Sequence, residues 1–278
     1  GVCTPNTIFF CENGVYRMHD NYRIHDPHSY EWLSLRQIVK YSSNIGAVKV
    51  SESIGRQVLW ETLRKFGFGT ATGVRCPGET SGILSDYTGW TEVDTGSIAF
   101  GQGVSVSAIQ LITAVSAIAN GGVLMKPRIL NAVITPNGRI VQAFKQHEGR
   151  RIIAQTTAQA ITRMMATVTA AGGTGAKAAL DGYTVCGKTG TAQKLNDEGR
   201  YTEEEVIASF VGFVPENNPR IAILVVVDSP VVGHYGGTVA APVFRQIAWE
   251  SLNYLGVPPE TDLPREHLIV AVKHEVSG

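Results

Sequence analysis

Two β-branched, apolar runs late in the chain, residues 206–214 and 221–227, constrain the fold more than any other feature. The six residues between them, Pro215-Glu216-Asn217-Asn218-Pro219-Arg220, place two prolines among polar side chains and cannot continue a strand. Runs this close pair antiparallel, as a hairpin whose loop is longer than two residues. A helical pattern over about 239–255 follows. It presents Val243, Phe244, Ile247, Ala248 and Leu252, and it tolerates Pro242 in its first turn. Ahead of the hairpin, Tyr183-Thr184-Val185-Cys186 alternates as a further strand.

Upstream the pattern is mostly helical. Ser34 and Gln37 match a capping box ahead of Leu35, Ile38 and Val39. Residues 43–54 and 56–66 continue at helical spacing, and the second segment can stop at Gly67. Residues 67–104, rich in Gly, Thr and Ser, read as loop with short extended pieces. A buried helix is expected over 107–120, then a hairpin around Pro136-Asn137-Gly138, then a helix capped by Thr157 and ended at Gly172-Gly173. The order gives an α/β (α+β) domain, an antiparallel sheet flanked by helices, over residues 1–256. Residues 257–278, with Pro258, Pro259 and Pro264 before an apolar run at 269–272, read as a tail or the start of a linker.

Charge narrows the function. Lys plus Arg number 24 and Asp plus Glu number 24, a net charge of zero, which argues against a nucleic-acid or anionic-membrane surface. The 278 residues hold no run of 18 apolar side chains and no secretory signal at their start. Cys3, Cys11, Cys76 and Cys186 lack zinc-site spacing. Cys3 and Cys11 are close enough to pair in an oxidising compartment, while free buried thiols are the commoner state for so few cysteines. His25-Asp26-Pro27-His28 reads as a structured loop rather than a metal site, and Asp228 and His234 carry no motif.

Residues 182–189, Gly-Tyr-Thr-Val-Cys-Gly-Lys-Thr, satisfy the phosphate-loop expression G-x-x-x-x-G-K-T. The chemistry of such a loop needs a buried strand before the first glycine and a helix after the lysine. Here the strand formers lie inside the supposed loop, and no apolar helical stripe follows. The same residues also read as Lys188-Thr189-Gly190-Thr191, a K-T-G element, and Ser42-Ser43-Asn44 supplies an S-x-N element where a helical pattern breaks.

With these motifs the chain resembles the transpeptidase domain of class B penicillin-binding proteins of the cell-division or elongation type. Phe100-Gly101-Gln102-Gly103, Gly172-Gly173-Thr174-Gly175, residues 209–213 (Ser-Phe-Val-Gly-Phe) and residues 235–244 (from Tyr235-Gly236-Gly237 to Phe244) strengthen the likeness, which runs to about residue 255. The resemblance implies the fold shared by penicillin-binding transpeptidases and serine β-lactamases. It implies catalytic roles for Ser42, Asn44 and Lys188: Ser42 in a proton relay, Asn44 as a donor to a substrate amide, and Lys188 as a positive charge near Ser42. Thr189, Gly190, Thr191 and Gln102 are implied to bind substrate, with the Thr191 amide as one oxyanion donor. No metal and no cofactor are implied. The implied partners are peptidoglycan stem peptides ending in D-Ala-D-Ala, β-lactam antibiotics and cell-wall synthesis proteins, with no nucleic acid.

The family's nucleophile lies in S-x-x-K upstream of S-x-N, yet no lysine of this chain has serine three residues before it. The expectation is a fragment that begins after the nucleophilic helix and is inactive by itself. In the whole protein it would act on the extracytoplasmic face of the membrane, anchored by a segment upstream. A DD-carboxypeptidase or a serine β-lactamase shares the motifs, and a non-catalytic sensor or binding domain would keep the fold without turnover.

Overall fold

The computed structural model describes residues 2–19, 22–145, 148–195, 198 and 201–261. The chain divides into two compact units. One comprises residues up to Ile38 and Ser43–Ala160; the other comprises Val39–Ser42 and the residues from Ile161 onward.

The first unit opens with short strands β1 (Ile8–Phe10), β2 (Val15–Arg17), β3 (Arg23–His25) and β4 (Trp32–Ser34), pairing β1 with β4 and β2 with β3, both antiparallel. Helix α1 (Leu35–Tyr41) begins at the expected capping box: the Ser34 N–H donates to Gln37 Oε1 at 2.8 Å and the Gln37 N–H to Ser34 Oγ at 3.4 Å. Helices α2 (Asn44–Ile54) and α3 (Arg56–Lys65) follow as expected. Ser43 caps α2, its Oγ accepting from the Gly46 N–H at 2.8 Å. Asp26 completes that cap by accepting from Ser43 Oγ at 2.5 Å and from the Ile45 N–H at 3.0 Å, so the His25–His28 loop has a structural role.

Residues 67–104 depart from the loop expectation. Helix α4 (Glu92–Ala99) lies within them, started by a capping box in which Thr91 and Asp94 satisfy each other's backbone N–H. The Thr-x-x-Asp spacing was the available signal, masked by the surrounding glycines. Helix α5 (Ala108–Ala119) is likewise boxed by Ser107 and Gln110. Strands β5 (Val123–Leu124), β6 (Ala132–Ile134), β7 (Ile140–Ala143) and β8 (Arg150–Arg151) pair β6 with β7 around the Pro136-Asn137-Gly138 turn and β5 with β8.

Gln110 anchors this unit. It is 1% exposed, and its Nε2 donates to the carbonyls of Thr70 at 2.9 Å and Ser81 at 2.8 Å, while Oε1 accepts from the Ser107 N–H at 2.8 Å. Gln110→Leu keeps the volume and leaves those backbone groups unpaired. It is expected to cost about 2–4 kcal/mol in urea unfolding.

Helix α6 (Gln155–Thr169) starts two residues before the expected cap and ends in the second unit. There, β9 (Cys186–Leu195), β10 (Tyr201–Val214) and β11 (Ile221–Asp228) form an antiparallel sheet in the order β11-β10-β9. The hairpin matches expectation, and β10 ends before Pro215, which has no N–H for the ladder. The strand expected at 183–186 instead starts at Cys186 and runs through Lys188-Thr189-Gly190-Thr191, so the lysine lies inside the strand. The long β10 supplies a partner edge that recruits residues of weak strand propensity. Asn196, Asp197 and Gly199, and the apolar run at 269–272, lie outside the described residues.

The final helix divides into α7 (Gly236–Val239) and α8 (Ala241–Tyr254), with Pro242 in the first turn of α8. Phe244, Ala248 and Leu252 of α8 are fully buried with Phe210 and Val214 of β10, the Phe210 and Phe244 rings meeting edge-on at 4.7 Å. Each such phenylalanine contributes about 2–3 kcal/mol through burial. Val257 joins this core, its carbonyl accepting from Tyr183 Oη at 2.7 Å, and Glu260 Oε2 accepts from the Thr184 N–H at 2.8 Å. Val257 is thus packed against the unit, and Glu260 and Thr261 are tied to it through their N–H groups on the Gly182 carbonyl. The α+β architecture expected from the sequence, an antiparallel sheet flanked by helices, is the architecture observed. Among the described residues no helix is long and apolar enough to cross a membrane.

The four cysteines are free thiols, with Cys11 and Cys186 buried. Burial raises the Cys186 thiol well above its ordinary range, which leaves it a poor nucleophile.

Candidate active site

Ser42 occupies a tight corner between α1 and α2 with φ +57°, a left-handed conformation that costs a residue with a side chain about 1 kcal/mol or more. The corner turns its hydroxyl toward β9, where Lys188 Nζ donates to Ser42 Oγ at 2.6 Å and to the Thr189 carbonyl at 3.0 Å. These residues lie 146 positions apart in the chain and meet within one unit.

The Lys188 ammonium lies deep, although the side chain as a whole is only half-buried. Burial pushes its pKa down from 10.5 to about 8, since the Ser42 hydroxyl and the Thr189 carbonyl are neutral oxygens and lost hydration is not repaid by a carboxylate. The ammonium spends its hydrogen bond on a lone pair of Ser42, which leaves the hydroxyl proton of that serine to be handed on. Such a pair can move a proton near neutral pH.

The strand presents the rest. Lys188, Thr189, Gly190 and Thr191 pair with Val211, Phe210, Ser209 and Ala208 of β10. Among the described residues no strand pairs with the other edge of β9, so an extended chain can lie along it. Thr189 Oγ1 donates to Thr174 Oγ1 at 2.9 Å, and Thr191 Oγ1 accepts from the Gly236 N–H at 3.2 Å. Farther along, Lys194 Nζ is held by Asp228 Oδ1 at 3.1 Å and Glu205 Oε2 at 3.3 Å, a stitch across the sheet that gives Asp228 a structural use. His234 is exposed.

The structure therefore brings together Ser42, Lys188, Thr189, Gly190 and Thr191. Asn44 and Gln102 belong to the other unit. There the Asn44 Nδ2 donates to the His25 carbonyl at 2.9 Å, and Gln102 stands between Gly101 and Gly103, both at positive φ, with its N–H on the Ser97 carbonyl at 2.9 Å. Thr174, Gly236 and Gly237 were visible as parts of the glycine-rich stretches without an assigned role, and Lys40 carried no motif. Their importance lies in contacts that only the folded chain makes.

The sequence matches the penicillin binding protein transpeptidase domain over residues 1–248. It is 41% identical over 225 residues to stage V sporulation protein D of Bacillus subtilis, covering 80% of this chain and 34% of that protein. It is 32% identical over 261 residues to peptidoglycan D,D-transpeptidase FtsI of Escherichia coli, covering 94% of this chain and 42% of that protein. Among solved structures, penicillin binding protein 3 of Mycobacterium tuberculosis complexed with ampicillin superposes with a TM-score of 0.85 at 30% identity, covering 94% of this chain and 59% of that one. The chain thus spans less than half the length of these two curated relatives.

Proposed function

We propose, from the premise that this chain belongs to the penicillin-binding protein transpeptidase family, that it forms the main part of a peptidoglycan D,D-transpeptidase domain. The observation that carries the reading is the 2.6 Å contact between Lys188 and Ser42 beside an open strand edge. In the whole protein a serine from an S-x-x-K segment outside this chain attacks the carbonyl of the penultimate D-Ala of a stem peptide. The peptide bond breaks, the terminal D-Ala leaves with a proton delivered through Ser42, and an acyl-serine ester remains. The amine of a neighbouring stem peptide then attacks the ester, restoring the serine and forming the cross-link.

Lys188 supplies positive potential beside Ser42 and toward the substrate's terminal carboxylate. Thr191, whose Oγ1 accepts from the Gly236 N–H and keeps its own proton, offers that proton to the carboxylate. Thr189 lines the strand beside it with its proton on Thr174. The Thr191 amide faces the developing oxyanion, and Gly190 leaves room for the peptide at the strand edge. A β-lactam enters the same pathway as an acylating analogue. The reaction belongs on the extracytoplasmic face of the membrane, with the anchor in a preceding segment and cell-wall synthesis proteins as partners.

The test is the full-length protein with labelled penicillin and, separately, with stem peptide plus an acceptor amine. Expected results are a covalent penicillin adduct by mass spectrometry and a cross-linked peptide dimer. Release of D-Ala with water as sole acceptor would replace this reading with a carboxypeptidase, and rapid hydrolysis of penicillin with a β-lactamase. The 278-residue chain alone is expected to take no covalent label, and a stable adduct on it would overturn the assignment of the nucleophile to S-x-x-K.

A further inference from the structure

Thr174 stands in the turn after α6 and connects two segments that the chemistry uses. Its N–H and its hydroxyl both donate to the Lys40 carbonyl, at 3.3 and 3.4 Å, and its hydroxyl accepts from Thr189 Oγ1 at 2.9 Å. Lys40 is two residues from Ser42, and Thr189 is the neighbour of Lys188.

The turn itself has little freedom. The Gly173 N–H donates to the Ala170 carbonyl and the Gly175 N–H to the Val168 carbonyl, both at 2.9 Å. Lys40 Nζ donates to the Ala171 carbonyl at 2.9 Å, so Lys40 is gripped through its side chain and its backbone by the same turn. On its far side the Thr174 carbonyl lies where a Cβ on Gly237 would come within 2.1 Å.

We propose that Thr174 is a positioning residue for acyl transfer, its hydroxyl joining Thr189 to the Lys40 carbonyl and so setting the contact between Ser42 and Lys188. The inference rests on the acyl-transfer reading above. The mechanism is geometric: the Ser42 corner reaches β9 through this hydroxyl chain, and a hydrogen bond with lever arms of one and two residues transmits any slack to the 2.6 Å contact. Valine keeps the size and β-branch of threonine without the hydroxyl, whereas serine keeps the hydroxyl without the methyl.

The experiment measures acylation of the full-length protein and its T174V and T174S variants by a fluorescent penicillin. It separates the acylation rate constant from the dissociation constant of the non-covalent complex. T174V is expected to slow acylation by about 10–100-fold with binding changed less than about threefold, and T174S is expected to stay within about threefold of the parent in both. T174V acylating within about twofold of the parent would overturn the proposal. So would T174S as slow as T174V, which would assign the effect to methyl packing, or a loss that tracks the unfolded fraction in circular dichroism. If the unsubstituted protein takes no label, the acyl-transfer reading itself fails and takes this inference with it. A labelled parent with an equally fast T174V removes Thr174 alone.

Discussion

Lys188→Met in the full-length protein is expected to lower penicillin acylation by about 10²–10⁴-fold while making the folded protein more stable at neutral pH. The two effects have one cause. The ammonium is held deep against neutral oxygens, so its pKa falls from 10.5 to about 8. At 1.36 kcal/mol per pH unit, that drop is a native-state cost of ~3 kcal/mol. The native state releases this proton before the unfolded chain does. The cost is therefore fully present below pH 8, and this group's contribution makes stability rise with pH between about 8 and 10.5. Methionine fills the same channel without the charge and is expected to gain about 1–3 kcal/mol at pH 7, a gain that shrinks toward pH 10. Acylation by the parent should fall as pH rises through about 8, as the ammonium is lost. Urea unfolding of parent and variant at pH 7 and pH 10, with acylation measured across that range, checks both. A variant that loses stability at pH 7, or a parent that acylates equally at pH 7 and pH 10, would count against a buried ammonium beside Ser42.

Gly236→Ala is expected to destabilise the second unit by about 4 kcal/mol or more, enough to remove most soluble protein. A Cβ on Gly236 would come within 2.1 Å of the Ser209 carbonyl oxygen and 2.5 Å of the Gly190 carbonyl oxygen. Both are backbone atoms of a register pair in β10 and β9, so neither can retreat without opening the sheet beside Lys188. The Gly236 N–H also donates to Thr191 Oγ1, so displacement of α7 would disturb a residue of the site itself. Gly138→Ala is the control. It has positive φ at the tip of the β6–β7 hairpin and nothing near its Cβ, so only the conformational penalty of about 1 kcal/mol applies. Thermal melting of the pair decides the matter: similar melting of the two variants would mean that the close approach at Gly236 is not what holds α7 to the sheet.

Elements whose signal is local were legible before folding. The Ser34–Gln37 box starts α1, the polar six-residue break makes the β10–β11 hairpin, and Phe244, Ala248 and Leu252 at helical spacing are the buried side of α8. Elements that depend on a distant partner were not. Helix α4 has so little amphipathic contrast that its Thr91–Asp94 box was the only usable mark. Strand β9 consists of Gly, Lys, Thr, Ala and Gln over much of its length and is extended because β10 offers hydrogen bonds that its own propensity would not secure.

The site divides in the same way. Lys188-Thr189-Gly190-Thr191 and Ser42-Ser43-Asn44 were recognisable as motifs because their residue types and spacing match those of the family, and local sequence carries spacing. Sequence alone therefore determined the family and the residues that could act. Tertiary structure decided that Ser42 meets Lys188 at 2.6 Å, that Asn44 turns an amide to His25, and that Thr174 joins Thr189 to Lys40. These contacts span up to 146 residues, and no local pattern encodes them. They follow from the left-handed corner at Ser42, the register of β9 on β10, and the fit of glycine turns against backbone, all settled only when the chain packs.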